Sequence, residues 1–330
     1  MRWEIRGYRE GDEPDILSLF ALVFGEESRR SESIWRWIYK ENPAGSPVIG
    51  IARDRTNGAL VAHGAVIPLA GLLRGRPVRF GLAMDAMTHP NYRGAVLGRR
   101  GAFLQMARFV IERIVPVISL AYGFPGERHL RLGGIELGYR PIGAPAHLAR
   151  ELGSGAPPPG RGRLFGPRVR PFRSFGRSAD DLWRRVRVDY PFSLVRDARY
   201  LNWRFRDNPV RKYRFFALTG PVGDWRGWLV LSIEEKAARI VDLLLPRRLP
   251  AGAEGLVEEA LACAARSGAA TASVFMPAHS PARPLIDRLG FESIESEGEP
   301  ILAVRLHDPS VRPEDVAAEF HYQMGDSDMY

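Results

Sequence analysis

The first 148 residues alternate between helix-like and strand-like spacing of apolar positions. Apolar residues recur at helical spacing over 13–25, and a second helix carrying Trp37 is predicted to stop near Asn42 and Pro43, because residues before proline disfavour helix. Asn57-Gly58 between two apolar runs predicts a hairpin. The remaining predictions for this half are strands 2–8, 47–54, 58–73, 78–89 and 116–124, a helix ending near 114, a helix over 128–137, and one or two strands over 139–148.

The second half shows a similar succession of patterns. Helices are predicted around 180–187, at Trp203, and over 253–267 and 281–289, and strands within 213–233 and over 238–245, 270–276 and 299–306. Residues 151–178 between the halves are rich in Gly, Pro and Arg and follow neither period. They are predicted to form a linker, or a belt laid across the surface.

An internal repeat relates the two halves. Two groups of residues in the first half recur in the same order in the second half. The first group recurs 166 residues later and the second group 152 residues later. The matched residues are Trp37, Asn42 and Pro43 with Trp203, Asn208 and Pro209, and then Pro125, Gly138 and Tyr139 with Pro277, Gly290 and Phe291. The repeat predicts two domains of one fold, over 1–150 and 179–330, separated by the linker.

Charge and composition exclude several classes of protein. The net charge is +9, but 44 of the 47 basic residues are arginine and they are spread along the chain, which indicates a coding bias rather than a nucleic-acid surface. The single cysteine, Cys263, excludes an internal disulfide and a thiolate metal cage built from one chain. Neither a signal-peptide pattern nor an apolar run of about 18 residues is found, so a soluble cytoplasmic protein without a membrane partner is expected.

The stretch "THPNYRGAVLGRRG" at 88–101 is the strongest chemical signal. It is basic, contains glycines and leads into an apolar helical stretch, and free N–H groups at a helix start bind anions such as phosphate. Val96 stands where a tightly wrapped loop would carry glycine. A left-handed backbone there would cost valine about 1–2 kcal/mol, whereas a negative φ would cost little. A working phosphate loop, a degenerate one and a plain basic turn are the three interpretations.

These residues resemble the GNAT acyltransferase superfamily. "HPNYRGAVLG" is similar to the common form His-Pro-x-Tyr-Arg-Gly-x-Gly-x-Gly, with Val96 in place of one glycine, and "GFPGERHL…ELGYRPIG" is similar to the family's fifth strand and fourth helix. The resemblance covers 1–148 well and 180–306 more weakly. It implies an α/β (α+β) fold of two tandem GNAT-like domains, each a mixed, mostly antiparallel sheet flanked by helices.

The resemblance also implies acetyl-CoA as the co-substrate, bound by the first copy. The backbone of strand four would hold the pantetheine arm by strand addition, and the following loop would hold the pyrophosphate. The implied binding residues are Met87, Thr88, Arg93, Gly94, Ala95, Val96, Leu97, Gly98 and Arg99. The second copy continues as "RRLPAGAEG" after its strand four. It lacks the loop spacing and is expected to bind no cofactor.

Two residues are candidates for catalysis. Asp85 on strand four is the best placed carboxylate to take a proton from an amine acceptor, although a structural role is an equal alternative. Relatives carry a tyrosine acid where this chain has Gly134, which leaves Tyr122 at the end of strand five as the nearest substitute. An aromatic residue in an apolar strand is more often a core residue. No His, Cys, Asp or Glu cluster has metal-ligand spacing, so no metal is expected.

The resulting hypothesis is an acetyl-CoA-dependent N-acyltransferase that transfers an acyl group directly to a primary amine, with a small molecule as the acceptor. One alternative is an aminoacyl-tRNA-dependent transferase, since some of these also pair two GNAT-like domains. Another is a non-catalytic CoA-binding protein, which Val96 and the missing tyrosine favour. The sequence does not indicate an oligomeric state. The C-terminal "FHYQMGDSDMY" is either a loose tail or a flap over the cleft.

The loop hypothesis predicts that Arg93→Ala weakens acetyl-CoA binding by roughly 1.5–3 kcal/mol, the size of a charge-assisted phosphate contact. Isothermal calorimetry measures the affinity. Arg248→Ala, at the corresponding place in the second copy, is the control and should leave affinity unchanged. Unchanged affinity in the Arg93 variant would remove the loop from the hypothesis.

Overall fold

A computed structural model describes residues 2–93, 101–153, 167–294 and 301–328 of the chain. The helices are α1 Glu13–Phe24, α2 Glu32–Tyr39, α3 Ala102–Ile114, α4 Glu127–Leu137, α5 Arg177–Val186, α6 Ala198–Leu201, α7 Ala253–Arg266, α8 Arg283–Arg288 and α9 Pro313–Glu319. The strands are β1 Trp3–Gly7, β2 Val48–Asp54, β3 Leu60–Leu73, β4 Arg76–Thr88, β5 Leu120–Gly123, β6 Arg140–Gly143, β7 His147–Glu151, β8 Arg168–Phe172, β9 Ser193–Leu194, β10 Tyr213–Thr219, β11 Trp225–Glu234, β12 Ala237–Leu244, β13 Thr271–Phe275, β14 Glu292–Ser293 and β15 Leu302–Leu306.

Local sequence signals set the first elements as expected. The side chain of Ser31 caps α2 by accepting a hydrogen bond from the N–H of Ile34 at 3.3 Å, and α2 ends at Tyr39, three residues before Asn42. The Asn42 amide then donates to the carbonyl of Pro68 at 2.9 Å, which fastens the end of α2 to β3. The Asn57-Gly58 hairpin is confirmed, because β2 and β3 pair antiparallel around it.

The first sheet has the strand order β1-β2-β3-β4-β5-β15-β6. β4 and β5 run parallel, whereas β15 pairs antiparallel with both β5 and β6. Helix α3 covers one face, where Met106, Val110 and Ile114 pack on Val61 and Val66. A Cβ at Gly50 would lie 2.6 Å from a methyl carbon of Val110, so glycine allows this close approach of helix and strand.

The second sheet has the order β14-β7-β13-β12-β11-β10-β8. β12 and β13 are parallel, and β7 pairs antiparallel with β13 and β14. Helix α7 supplies Leu256, Val257 and Ala260 to a core that includes Leu229 and Ile240. Both sheets therefore place a parallel pair beside antiparallel strands, and the predicted mixed sheets flanked by helices are confirmed.

Two strands depart from the predicted domain limits of 1–150 and 179–330. β7, at the end of the first half, lies in the second sheet, and β15, predicted as the last strand of the second copy, lies in the first sheet. The compact units are accordingly discontinuous: one is Met1–Gly71, Val78–Gly143 and Pro300–Ala317, and the other is Leu72–Pro77, Ala144–Glu299 and Ala318–Tyr330. An apolar pattern predicts that a segment is a strand, but tertiary packing selects its neighbours.

The predicted linker 151–178 is also partly wrong. Arg168–Phe172 is strand β8, which pairs with β10 at the end of the second sheet. Pro171 is tolerated there because an edge strand has one side that makes no ladder bonds. The strand is only five residues long, contains a proline and lies in a stretch rich in Gly, Pro and Arg, so its short alternation does not stand out in the sequence. Within the described ranges, none of the helices is long and apolar enough to span a membrane.

The exchange of β7 and β15 predicts how the chain behaves when it is cut. A fragment of residues 1–153 lacks β15 and leaves β5 and β6 without their shared neighbour, so expressed alone it should be aggregated or unfolded. Coexpressed with 154–330, the two fragments should copurify, because each half contributes a strand to the sheet of the other. Size-exclusion chromatography and circular dichroism measure this. A monomeric 1–153 fragment that unfolds cooperatively would contradict the exchange.

Candidate active site

The pairing between the parallel strands β4 and β5 ends before β4 does. Their register runs from Phe80–Leu120 to Leu82–Tyr122, whereas β4 continues to Thr88. Gly123 stands where the pairing ends: a Cβ there would lie 3.1 Å from the carbonyl oxygen of Ala83. Glycine at 123 therefore lets β5 approach Ala83 closely at the point where the pairing ends.

Asp85 lies in the part of β4 beyond this pairing and has a left-handed backbone, with φ of 51°. Two other non-glycine residues in the described ranges have positive φ, Arg74 and Glu235, and both are in hairpin turns. The conformation costs on the order of 1–3 kcal/mol, although Asp tolerates it better than most residues. Met84 and Asp85 are buried in succession, so the strand alternation is broken at this point, as in a bulge.

Both ends of α2 hold the Asp85 carboxylate. The Tyr39 hydroxyl, from the last residue of the helix, donates to Oδ2 at 2.5 Å. The Arg30 guanidinium, from the residue before the Ser31 cap, donates to the same oxygen. Its charged group also lies 4.4 Å from the ring centre of Phe20. Within the described ranges no hydrogen bond reaches Oδ1, so this oxygen is left for a substrate amine or a water molecule.

His63 on β3 supports the same bulge from the neighbouring strand. Its Nδ1 lies 2.8 Å from the carbonyl oxygen of Asp85, and because a carbonyl accepts, Nδ1 carries the hydrogen. Burial lowers the pKa of His63, against an opposing effect of the Asp85 charge, so the imidazole is neutral at neutral pH. Its Nε2 is buried without a hydrogen-bond partner in the described part of the chain.

Comparison with known proteins identifies the family of the part of the chain that contains this site. Residues 4–130 match the family model of the acetyltransferase (GNAT) domain. This stretch is a GNAT domain. No curated protein is similar enough to match the chain.

Solved structures extend the likeness of fold beyond the GNAT domain. A GCN5-related N-acetyltransferase from Anabaena variabilis has a TM-score of 0.68 at 14% identity, with 93% of this chain and 73% of that one covered. A probable N-acyltransferase from Enterococcus faecalis gives 0.66 at 11%, with the same coverage. The N-myristoyltransferase of Saccharomyces cerevisiae, solved with myristoyl-CoA, gives 0.56 at 13%, with 92% and 78% covered. At these identities the likeness shows the fold alone.

Three predicted binding residues of the GNAT domain lie in the described ranges. Met87 is buried, and Thr88 is half-buried and accepts at its carbonyl a hydrogen bond from Arg93 Nε at 3.2 Å. The predicted residues Gly94, Ala95, Val96, Leu97, Gly98 and Arg99 lie outside the described residues. Arg93 follows directly after a short 3-10 turn, Pro90–Tyr92.

Tyr122, the predicted acid, has no exposed surface and meets the ring of Phe124 edge to face at 6.4 Å between centres. This burial agrees with the alternative interpretation of Tyr122 as a core residue. A role as acid stays a prediction. The described residues contain no group of three His, Cys, Asp or Glu side chains that could hold a metal ion.

The second unit repeats the Arg–Asp pair. Arg196 stands before Asp197, the capping residue of α6, and has the same spacing to Trp203 as Arg30 has to Trp37. Its Nε donates to Asp242 Oδ2 at 2.9 Å. Asp242 lies on β12, two residues past Ile240, the last residue paired with β13. Asp85 has a similar place on β4, three residues past Leu82, the last residue paired with β5. The sequence repeat contained this signal in the shared offset of the two arginines.

The second pair differs in its surroundings. The indole Nε1 of Trp228 donates to Asp242 Oδ1 at 2.8 Å, and Arg196 also donates to Asp326 Oδ2 at 2.6 Å. Arg196, Asp242 and Asp326 are each at most 1% exposed in their side chains. Both oxygens of Asp242 are thus occupied and shielded from water, which leaves this copy no free carboxylate oxygen at the position of Asp85 Oδ1.

The C-terminal segment makes further buried hydrogen bonds within the second unit. The Gln323 carboxamide accepts from the Leu243 N–H at 2.7 Å and donates to the Leu243 carbonyl at 3.2 Å, as a neighbouring strand would. Arg204 donates to the carbonyls of Gly325 and Ser327, both at 2.7 Å. Residues 320–327 are therefore a buried part of the second unit rather than a loose tail.

This arrangement predicts a large cost for Arg196→Met. Removing the arginine leaves two buried carboxylates uncompensated, so the free energy of unfolding should fall by about 3–5 kcal/mol, measured by urea unfolding. Arg206→Met is the matched control, since Arg206 pairs with Asp207 at the surface, and it should cost about 0–1 kcal/mol. Equal losses in the two variants would contradict the closed cluster.

Proposed function

We propose that this protein is an acetyl-CoA-dependent N-acyltransferase that transfers the acyl group from the thioester to a primary amine of a small molecule. The observation that carries the proposal is the Asp85 carboxylate with its unoccupied Oδ1, on β4 of a GNAT domain, beyond the point where β4 and β5 stop pairing. Its counterpart Asp242 has no such oxygen, which supports a catalytic site in the first copy rather than the second.

The part of β4 beyond its pairing with β5 is the proposed site of the pantetheine arm of a CoA thioester. A pantetheine amide needs free strand backbone, and β4 continues to Thr88 past Leu82, its last residue paired with β5. The backbone of Met87 and Thr88 would hold the arm, and the loop that begins at Arg93 would hold the pyrophosphate. When bound, the thioester supplies the activated acyl group.

The chain's own residues would then manage the proton of the amine. The amine nitrogen must lose a proton before or as it attacks the thioester carbon, and Asp85 Oδ1 accepts that proton directly or through one water. The carbon–sulfur bond breaks and CoA leaves as the thiolate, which needs no acid in the protein at neutral pH. The fully buried Tyr122 is therefore not required for turnover in this scheme.

A variant of Asp85 tests the proposal. Asp85→Asn should lower kcat by about 10²–10⁴-fold, the usual contribution of a general base, while the affinity for acetyl-CoA holds. The loss should shrink as pH rises, because more of the acceptor amine is then already neutral. Release of the CoA thiol, followed with a thiol reagent over a panel of small amines, measures turnover, and calorimetry measures affinity.

A matched control for Asp85→Asn lies in the same unit. Asp54 is also buried and also paired with an arginine, Arg2, at 3.0 Å, so Asp54→Asn repeats the loss of charge away from β4 and should leave kcat unchanged. Full turnover in Asp85→Asn would remove the base from the proposal. Acetyl-CoA binding without turnover on any amine would favour a CoA-binding protein instead.

A further inference from the structure

We infer that Arg30 and Tyr39 are positioning residues for this reaction: by both binding Oδ2 of Asp85 they leave Oδ1 as the oxygen that takes the proton. The inference rests on the proposed function and specifies which atom of the carboxylate acts and what holds it. Neither residue was indicated by motif or spacing within the first copy. They become visible through their contacts with Asp85.

The two donors fill Oδ2. Each oxygen of a carboxylate accepts about two hydrogen bonds, and Oδ2 has the phenol of Tyr39 and the guanidinium of Arg30. A third donor, such as an amine or a water, is therefore directed to Oδ1. The Arg30 side chain is 16% exposed and that of Asp85 only 6%, so the ion pair is poorly screened and holds its geometry better than a surface pair.

Helix α2 is a rigid support for both donors. Arg30 directly precedes the Ser31 cap and Tyr39 is the last residue of the helix, so the backbone of both donors is attached to its two ends. The Arg30 guanidinium is further fixed over the ring of Phe20, and Tyr39 is 1% exposed. The left-handed backbone of Asp85 is unfavourable by itself, and these contacts, with the His63 bond to its carbonyl, hold it in place.

The second unit acts as an internal reference for which oxygen matters. It keeps the arginine on Oδ2 of the strand-four aspartate but places the Trp228 indole on Oδ1. In the second unit both oxygens of Asp242 hold a donor and the side chain is only 1% exposed, so neither oxygen is open to a substrate. The first copy differs at Oδ1, so the open oxygen, rather than the ion pair itself, is what distinguishes a reactive site from a closed one.

Tyr39→Phe is the sharpest test in the full chain, because it removes one oxygen atom from a buried side chain. Loss of a hydrogen bond to a charged group should lower kcat by roughly 10- to 100-fold with the KM for acetyl-CoA unchanged. The dependence of kcat on pH is measured for the variant beside the wild type. The other groups facing Asp85 are Arg30 and His63, and both stay in this variant.

Arg30→Met should lower kcat at least as much, and Arg30→Lys should restore part of it because the charge returns. The matched controls are Tyr8→Phe, whose hydroxyl binds Glu13, and Arg29→Met, whose side chain is 63% exposed. Both should keep kcat and the pH profile. If Arg30→Met does not fold, Tyr39→Phe still tests the positioning role.

The outcomes separate this inference from the function on which it rests. If Asp85→Asn loses turnover while Tyr39→Phe keeps wild-type kcat and pH profile, the positioning role is overturned and the acyltransferase stands. If Tyr39→Phe changes only the melting temperature, its role is structural and the inference is equally overturned. If Asp85→Asn is fully active, Asp85 is not the base and the proposed function is overturned at that point. Unchanged acetyl-CoA affinity in the same variant then shows that the cofactor site is intact.

Discussion

A buried carboxylate on the fourth strand, paired with an arginine that precedes a helix, is the interaction on which each unit of this protein depends. Taking a carboxylate out of water is costly unless a cation and hydrogen-bond donors replace the water. Arg30 does this for Asp85 and Arg196 for Asp242. The pair fastens the Trp-containing helix to the strand just beyond the place where the parallel strands stop pairing.

The two copies show how small a change separates an open pair from a closed one. In the second unit an indole, a second aspartate and a glutamine carboxamide fill the polar positions around the pair. In the first, the corresponding donors come from α2 alone and act on one oxygen. The same ion pair can thus stabilise a unit in one place and orient a reactive group in the other, depending on what occupies the second oxygen.

The sequence predicted the elements better than their partners. Asn57-Gly58 and the end of the Trp37 helix before Asn42-Pro43 are local signals, and local backbone preferences decide them. The exchange of β7 and β15 could not be predicted, because an alternating segment pairs with whichever sheet offers it a free edge and an apolar face. The contact of Arg30 with Asp85 spans 55 residues, and nothing in the spacing of the first copy specifies it. Asp85 itself was found because the family resemblance identified the strand.

The exchanged strand β15 also sets an order of events during synthesis. β5 ends at Gly123 and β15 begins at Leu302, so about 180 residues must be made between them, which takes about 10–35 s at about 5–20 residues per second. During that interval the nascent chain carries an unpaired strand edge in its first sheet, a site for association with other chains. A ribosome that stalls in the second half would therefore release a chain whose first half is also incomplete, and chaperones that bind exposed strands would have to protect it until Leu306 has emerged.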